Sequence, residues 1–223
     1  MQIKQNSMIS AKNITKSYGS IRVLKGIDFA VSKEEIVCIM GASGAGKSTL
    51  LHILGTLDRP DSGTVEIDGK PLFSLSDKAL SQFRNQHIGF VFQFHYLLPE
   101  FTAIENICLP AFIAKKSKKE AVKEAERLLE LFHLSERATH KPSELSGGEQ
   151  QRIAIARALI NKPMVVFADE PSGNLDSNNA LELHKLFIEL RDLLHQTFVI
   201  VTHNQSIAAL ADRTVDIKDG LIV

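Results

Sequence analysis

The chain holds 223 residues, 44% of them hydrophobic, with 26 basic and 26 acidic side chains. That balance leaves no global basic footprint, so nucleic acid is not expected as a partner. The length suffices for one sizeable core or a core plus a subdomain. The two cysteines, Cys38 and Cys108, sit in apolar contexts; they offer neither a disulfide framework nor a metal cluster and fit a reducing compartment.

The opening stretch MQIKQNSMISAKNITK lacks the apolar core of a signal peptide. IVCIM at 36–40 reads as a buried strand, followed by GASGAGKST at 41–49 and the helical stretch LLHILG. TVEIDGK at 64–70 alternates and then turns, and HIGFVF at 87–92 is a further strand. Residues 102–139 read as helical, with the charges of KKSKKEAVKEAERLLELF patterned on one face. A helix opening at Ser146 runs to about Ile160, limited by Pro163. MVVFADE at 164–170 is an apolar strand ending in two acids; a helix over 178–194 precedes the buried strand TFVIVTH at 197–203. RTVDIKDGLIV closes the chain as a hairpin turning at Asp-Gly.

Apolar strands alternating with helices predict an α/β fold with a mostly parallel sheet covered on both faces. Residues 93–162 interrupt the alternation and read as an inserted helical subdomain, leaving 1–92 and 163–223 as the α/β core of a single domain. No run of about 18 apolar residues occurs, so no membrane span is expected. A membrane would matter through a partner.

Residues 41–48 fit the phosphate-loop pattern, two glycines flanking four residues and then Lys and a hydroxyl. Gly41, Ser43, Gly44, Ala45 and Gly46 would let backbone amides cradle phosphate oxygens. Lys47 would reach the terminal phosphates, and Ser48, followed by Thr49, would ligate Mg²⁺. Asp169 falls at the carboxyl end of a strand, where open α/β sheets place ligands, and is the expected second holder of the Mg²⁺ shell. Glu170 follows as the candidate to polarise an attacking water.

A second feature is the opening of the helix at Ser146. Ser146 and Glu149 read as a capping box, which leaves Gly147 and Gly148 unexplained. Glycines there strip the first turn of side chains where free amides and the positive dipole end face outward, a surface suited to an anion.

With LSGGE at 145–149 beside the phosphate loop, the chain resembles the nucleotide-binding subunit of an ABC transporter over nearly its whole length. The resemblance implies a P-loop ATPase with an N-terminal antiparallel β portion, binding ATP and Mg²⁺. It also implies a homodimer on ATP binding, in which Ser146, Gly147 and Gly148 address nucleotide held by the other copy. By the same resemblance Tyr18, in KSYGS, stacks on adenine. Gln93 contacts Mg²⁺ and the attacking water, His203 contacts the γ-phosphate, and Asp176, in SGNLD, links the two sites across the dimer. Glu149 replaces the commoner Gln of the signature, and Asn204 and Ser172 depart from frequent Asp and Thr without touching the chemistry.

FHYLLPEFTAIEN and HKPSELSGGEQQRIAIARAL are similar to the branch of the family that releases lipoproteins from the inner membrane of Gram-negative bacteria. This implies integral membrane permease subunits docking near residues 93–108, where Phe94, Tyr96, Leu97, Leu98 and Phe101 form an apolar cluster. The chain would then lie on the cytoplasmic face of the inner membrane through those partners. Macrolide or peptide efflux, and a division-linked complex that does not transport, remain open.

Overall fold

In a computed structural model of the protein, residues 7–223 are described; the first six residues, where the segment read as lacking a leader begins, lie outside the described residues. Two sheets carry the fold. The first is antiparallel, in the order β2-β1-β4-β5, built from β1 (Ser7–Tyr18), β2 (Ile21–Ser32), β4 (Ser62–Ile67) and the short β5 (Lys70–Pro71). The β1–β2 hairpin was implied only by resemblance, and its burial alternates irregularly because the pairing carries several register shifts.

The second sheet runs β10-β9-β3-β8-β7-β6. Its strands are β3 (Ile36–Met40), β6 (Ile88–Phe92), β7 (Val165–Asp169), β8 (Thr197–Val201), β9 (Arg213–Lys218) and β10 (Leu221–Ile222). The pairs β9–β3, β3–β8, β8–β7 and β7–β6 are parallel. β10 returns antiparallel on β9 through Asp219 and Gly220, both at positive φ, as the Asp-Gly turn predicts.

Both faces of this sheet are covered, which is why its strands read as unbroken apolar runs. Val37 and Ile39 of β3, Val165 and Phe167 of β7, and Val199 and Val201 of β8 point into one core. That core is shared with the antiparallel sheet, α1 (Lys47–Leu54) and α2 (Asp77–His87). The alternate residues Ile36, Cys38, Val166, Ala168, Phe198 and Ile200 point into the other. Four helices supply that second core: α3 (Ala103–Ile113), α4 (Lys118–Leu131), α5 (Gly147–Leu159) and α6 (Ser177–Leu194). A short α7 (Gln205–Ala208) follows β8. Burial pushes the Cys38 thiol up to about 12 and that of Cys108 up to about 11, as expected of unreactive core thiols.

Two details differ from the sequence reading. Residues 102–139 are not one helical stretch, because Thr102 and Ser117 each form a full capping box with Glu105 and Glu120 and start separate helices. α2 was not anticipated, since Leu80 and Phe83 are its only buried residues and the apolar periodicity is thin. Among the described residues no helix is long and apolar enough to cross a membrane.

Candidate functional site

The site lies where β3, β7 and β8 end at their carboxyl edge. β3 leads into the loop 41–46, whose first residue cannot be other than glycine. Gly41 has φ of +143°, and a β-carbon there would collide with the Ile217 carbonyl of β9. Gly46 is left-handed at the N-cap of α1, with Leu24 packed against it. The loop is thereby bent tightly enough to leave its amides lining a cavity of about 580 Å³.

That cavity gathers residues from distant parts of the chain. Tyr18, Gly41, Ser43, Gly44, Gly46, Lys47, Ser48, Thr49, Gln93, Glu170 and His203 all line it, with Val23 and Val201. Of the anticipated loop residues only Ala45 turns away, buried beneath the loop. Lys47 Nζ donates to the Gly41 and Ala42 carbonyls, both at 2.9 Å. The cation is thus held over its own loop, close to where phosphate oxygens would replace those carbonyls.

Ser48 Oγ donates to Asp169 Oδ1 at 3.1 Å. Burial pushes the Asp169 carboxyl above the usual carboxylate range, the Ser48 hydrogen bond and His52 working against it. His52 Nε2 lies 3.9 Å from Asp169 Oδ2. A hydroxyl and a largely buried carboxylate side by side form a hard oxygen donor set, which suits Mg²⁺. Among the described residues no cluster of three or more His, Cys, Asp or Glu could hold a metal by itself. Mg²⁺ needs no such cage, because it commonly takes one or two protein oxygens and completes its shell with phosphate and water.

Glu170 sits one residue beyond the strand with φ of +46°, a region that costs a non-glycine residue about 1–2 kcal/mol. Its surroundings hold it there. Its N–H donates to the Val201 carbonyl at 2.9 Å. Its carboxylate meets His203 Nδ1 at 2.9 Å and accepts from the Thr202 hydroxyl at 3.3 Å. Gln93 is fixed from another side: its Nε2 donates to Asn174 Oδ1 at 3.2 Å, while Asn174 Nδ2 donates to the Gln93 carbonyl at 3.0 Å.

Ser146, Gly147, Gly148 and Asp176 do not line this cavity. The capping box at α5 is present in full, and the Arg137 guanidinium, followed by the Ser146 N–H, pulls the Glu149 carboxyl down to about 2. The two glycines have different reasons. A β-carbon at 148 would lie 2.9 Å from Asn179 Oδ1, so a larger residue there would displace the Asn179 amide. At 147 it would meet only Leu175 Cδ2, at 3.8 Å, so nothing in this chain requires Gly147. Asp176 accepts from the Asn179 N–H and side-chain amide at the head of α6.

The ABC transporter family model matches residues 24–173, a span that includes the phosphate loop, the signature and both strand-end acids. The chain belongs to the ABC transporter family. Within that family it is an ATP-binding subunit and an ATPase. It is similar to the lipoprotein-releasing system ATP-binding protein LolD of Cytophaga hutchinsonii, at 61% identity over 97% of this chain and 99% of that protein. Among solved structures it resembles the dimeric bacterial ABC transporter cassette MJ0796, at 42% identity and TM-score 0.88, covering 96% of each chain. The same cassette in a dimeric post-hydrolysis state with ADP and Pi matches at 41% identity and TM-score 0.87, again over 96% of each chain.

The sequence missed several residues that shape this ABC site. Asn174, Thr202 and His52 touch Gln93, Glu170 and Asp169. Asn174 and Thr202 flank assigned motifs and could have been suspected from adjacency. His52 gave no signal, since it reaches the site only because it lies on α1.

Proposed function

We propose that the chain energises an ABC transporter that releases lipoproteins from the bacterial inner membrane. In this reading it works on the cytoplasmic face, as a homodimer bound to integral membrane permease subunits. The observation that carries the two-site part is the pair of incomplete half-sites. The cavity holds Lys47, Ser48, Glu170 and His203 but none of Ser146 to Gly148, while Gly147 answers to no need of its own chain. The lipoprotein cargo rests on the likeness to LolD proteins over nearly the full length.

The chemistry follows from positions. Lys47 exchanges its loop carbonyls for the terminal phosphate oxygens of ATP. Mg²⁺, held by Ser48 and Asp169 and approached by Gln93, would supply charge neutralisation. Glu170 orients and deprotonates the attacking water, with His203 fixing the carboxylate and facing the γ-phosphate. The amides of Ser146 to Gly148 complete the charge stabilisation from the second copy, and Asp176 couples the two sites. Residues 93–162 act as a helical subdomain inserted in the α/β core formed by 1–92 and 163–223.

Docking of the permease near residues 93–108 is supported by exposed Phe94, Tyr96, Leu98 and Phe101 on a loop that also carries Gln93. Large exposed apolar groups crowded on one loop are the usual mark of an interaction site. The test is reconstitution with the co-purified membrane partners in lipoprotein-loaded liposomes. ATP should drive lipoprotein release, and Glu170→Gln should not. ATP turnover with no release of any lipoprotein would overturn the cargo assignment.

A further inference from the structure

Tyr18 lines the nucleotide cavity with half of its surface exposed, yet its hydroxyl is not free. It donates to Asp58 Oδ2 at 2.7 Å. Asp58 lies in the turn after α1, 40 residues away in sequence. Its other oxygen, Oδ1, accepts from Lys16 Nζ at 2.7 Å and from the Arg59 N–H at 2.7 Å. Lys16 Nζ also donates to the Arg59 carbonyl at 2.7 Å. The same ammonium stands 5.1 Å from the centroid of the Tyr18 ring. Lys16 is itself buried, so this cation cannot swing into solvent.

We propose that Asp58 and Lys16 are positioning residues for the nucleotide base: they lock the Tyr18 ring and cover one of its faces, leaving the other for adenine. The inference rests on the reading of Tyr18 as the adenine platform. A half-exposed tyrosine on a strand end would otherwise sample several rotamers, and each base bound would have to freeze it. Here the hydroxyl is tied at one end and a cation lies against one face, as cation–π geometry favours. The hydrogen bond to Asp58 raises the Tyr18 hydroxyl above its ordinary value, with burial adding to it. Burial pushes the Asp58 carboxyl up as well, but the hydrogen bonds from Lys16 and Tyr18 together hold it below the usual range. The trio is therefore a charged, mutually satisfied unit rather than a chance contact. It also ties the base platform to the turn that ends α1, the helix the phosphate loop opens.

The test compares Tyr18→Phe, Asp58→Ala, their double variant and Tyr18→Ala in the full chain. Binding of ATP and of inorganic triphosphate is measured by titration calorimetry, with circular dichroism to check folding. Tyr18→Phe keeps the ring and loses only the tether. It should weaken ATP by about fivefold, the scale of one hydrogen bond, and leave triphosphate binding unchanged. Asp58→Ala should do the same, and the double variant should be no worse than either alone. ATP binding unchanged in Tyr18→Phe, with Tyr18→Ala impaired, would overturn the tether and keep the adenine platform. Unchanged binding in Tyr18→Ala would overturn both.

Discussion

Position 170 shows how the site residues are held by neighbours far off in sequence. The backbone of Glu170 is left-handed, and its carboxylate is gripped by Thr202 and His203 from the end of the adjacent strand. A group so tightly placed beside the phosphate loop is built to aim one atom. Replacing it with Gln keeps the shape and one acceptor oxygen but removes the carboxylate proposed as the base. Phosphate release should fall by at least about 100-fold, the usual contribution of a general base, while ATP binding to the single chain is retained. Turnover near the wild-type rate would remove Glu170 from that role. At this scale the sequence was informative wherever residue type and motif spacing carried the signal, as for Lys47, Ser48, Asp169 and Glu170. It was silent on Asp58 and His52, whose spacing from the motifs follows no chemical rule and whose proximity is made by the fold alone.

The elements were legible where one physical signal dominated. β3, β7 and β8 are buried on both faces, so their apolar runs stood out, and the predicted helix from Ser146 to about Ile160, short of Pro163, held because capping and proline chemistry are local. α2 and the break before Lys118 escaped because a thin apolar stripe and a polar loop look alike in one dimension.

Two predictions belong to α5. Its Glu149 carboxyl is depressed to about 2 in the fold from an ordinary 4.5 by Arg137 and the Ser146 N–H. A depressed carboxyl stabilises fully above its unfolded value, and that stabilisation fades as pH falls through the folded one. Arg137→Leu should therefore flatten the loss of stability between about pH 4.5 and pH 2, read as urea midpoints against pH. An unchanged acid slope would show that the pair contributes nothing. α5 also crosses β6 so closely that a β-carbon at Gly89 would lie 2.7 Å from the Ala158 carbonyl and 3.1 Å from Val166 Cγ2. Gly89→Ala should cost about 1–3 kcal/mol, as overpacking does in a close-packed core, measured by denaturant unfolding. A neutral result would mean that α5 shifts freely on the sheet.

For the molecule as a whole, the phosphate-loop cavity and the head of α5 do not meet within one chain. The cavity gathers the phosphate loop, Glu170 and His203, and the head of α5 lies elsewhere with a glycine its own chain does not need. The MJ0796 cassette to which the chain is similar is dimeric, and in the proposed function head-to-tail pairing of this chain about a twofold axis would join both halves twice over. The most direct measurement is sedimentation of the Glu170→Gln chain with Mg²⁺ and ATP, with and without Ser146→Arg. The account predicts an ATP-dependent dimer that Ser146→Arg abolishes while each chain still binds ATP. A dimer that survives Ser146→Arg, or a Glu170→Gln chain that stays monomeric when saturated with ATP, would contradict it.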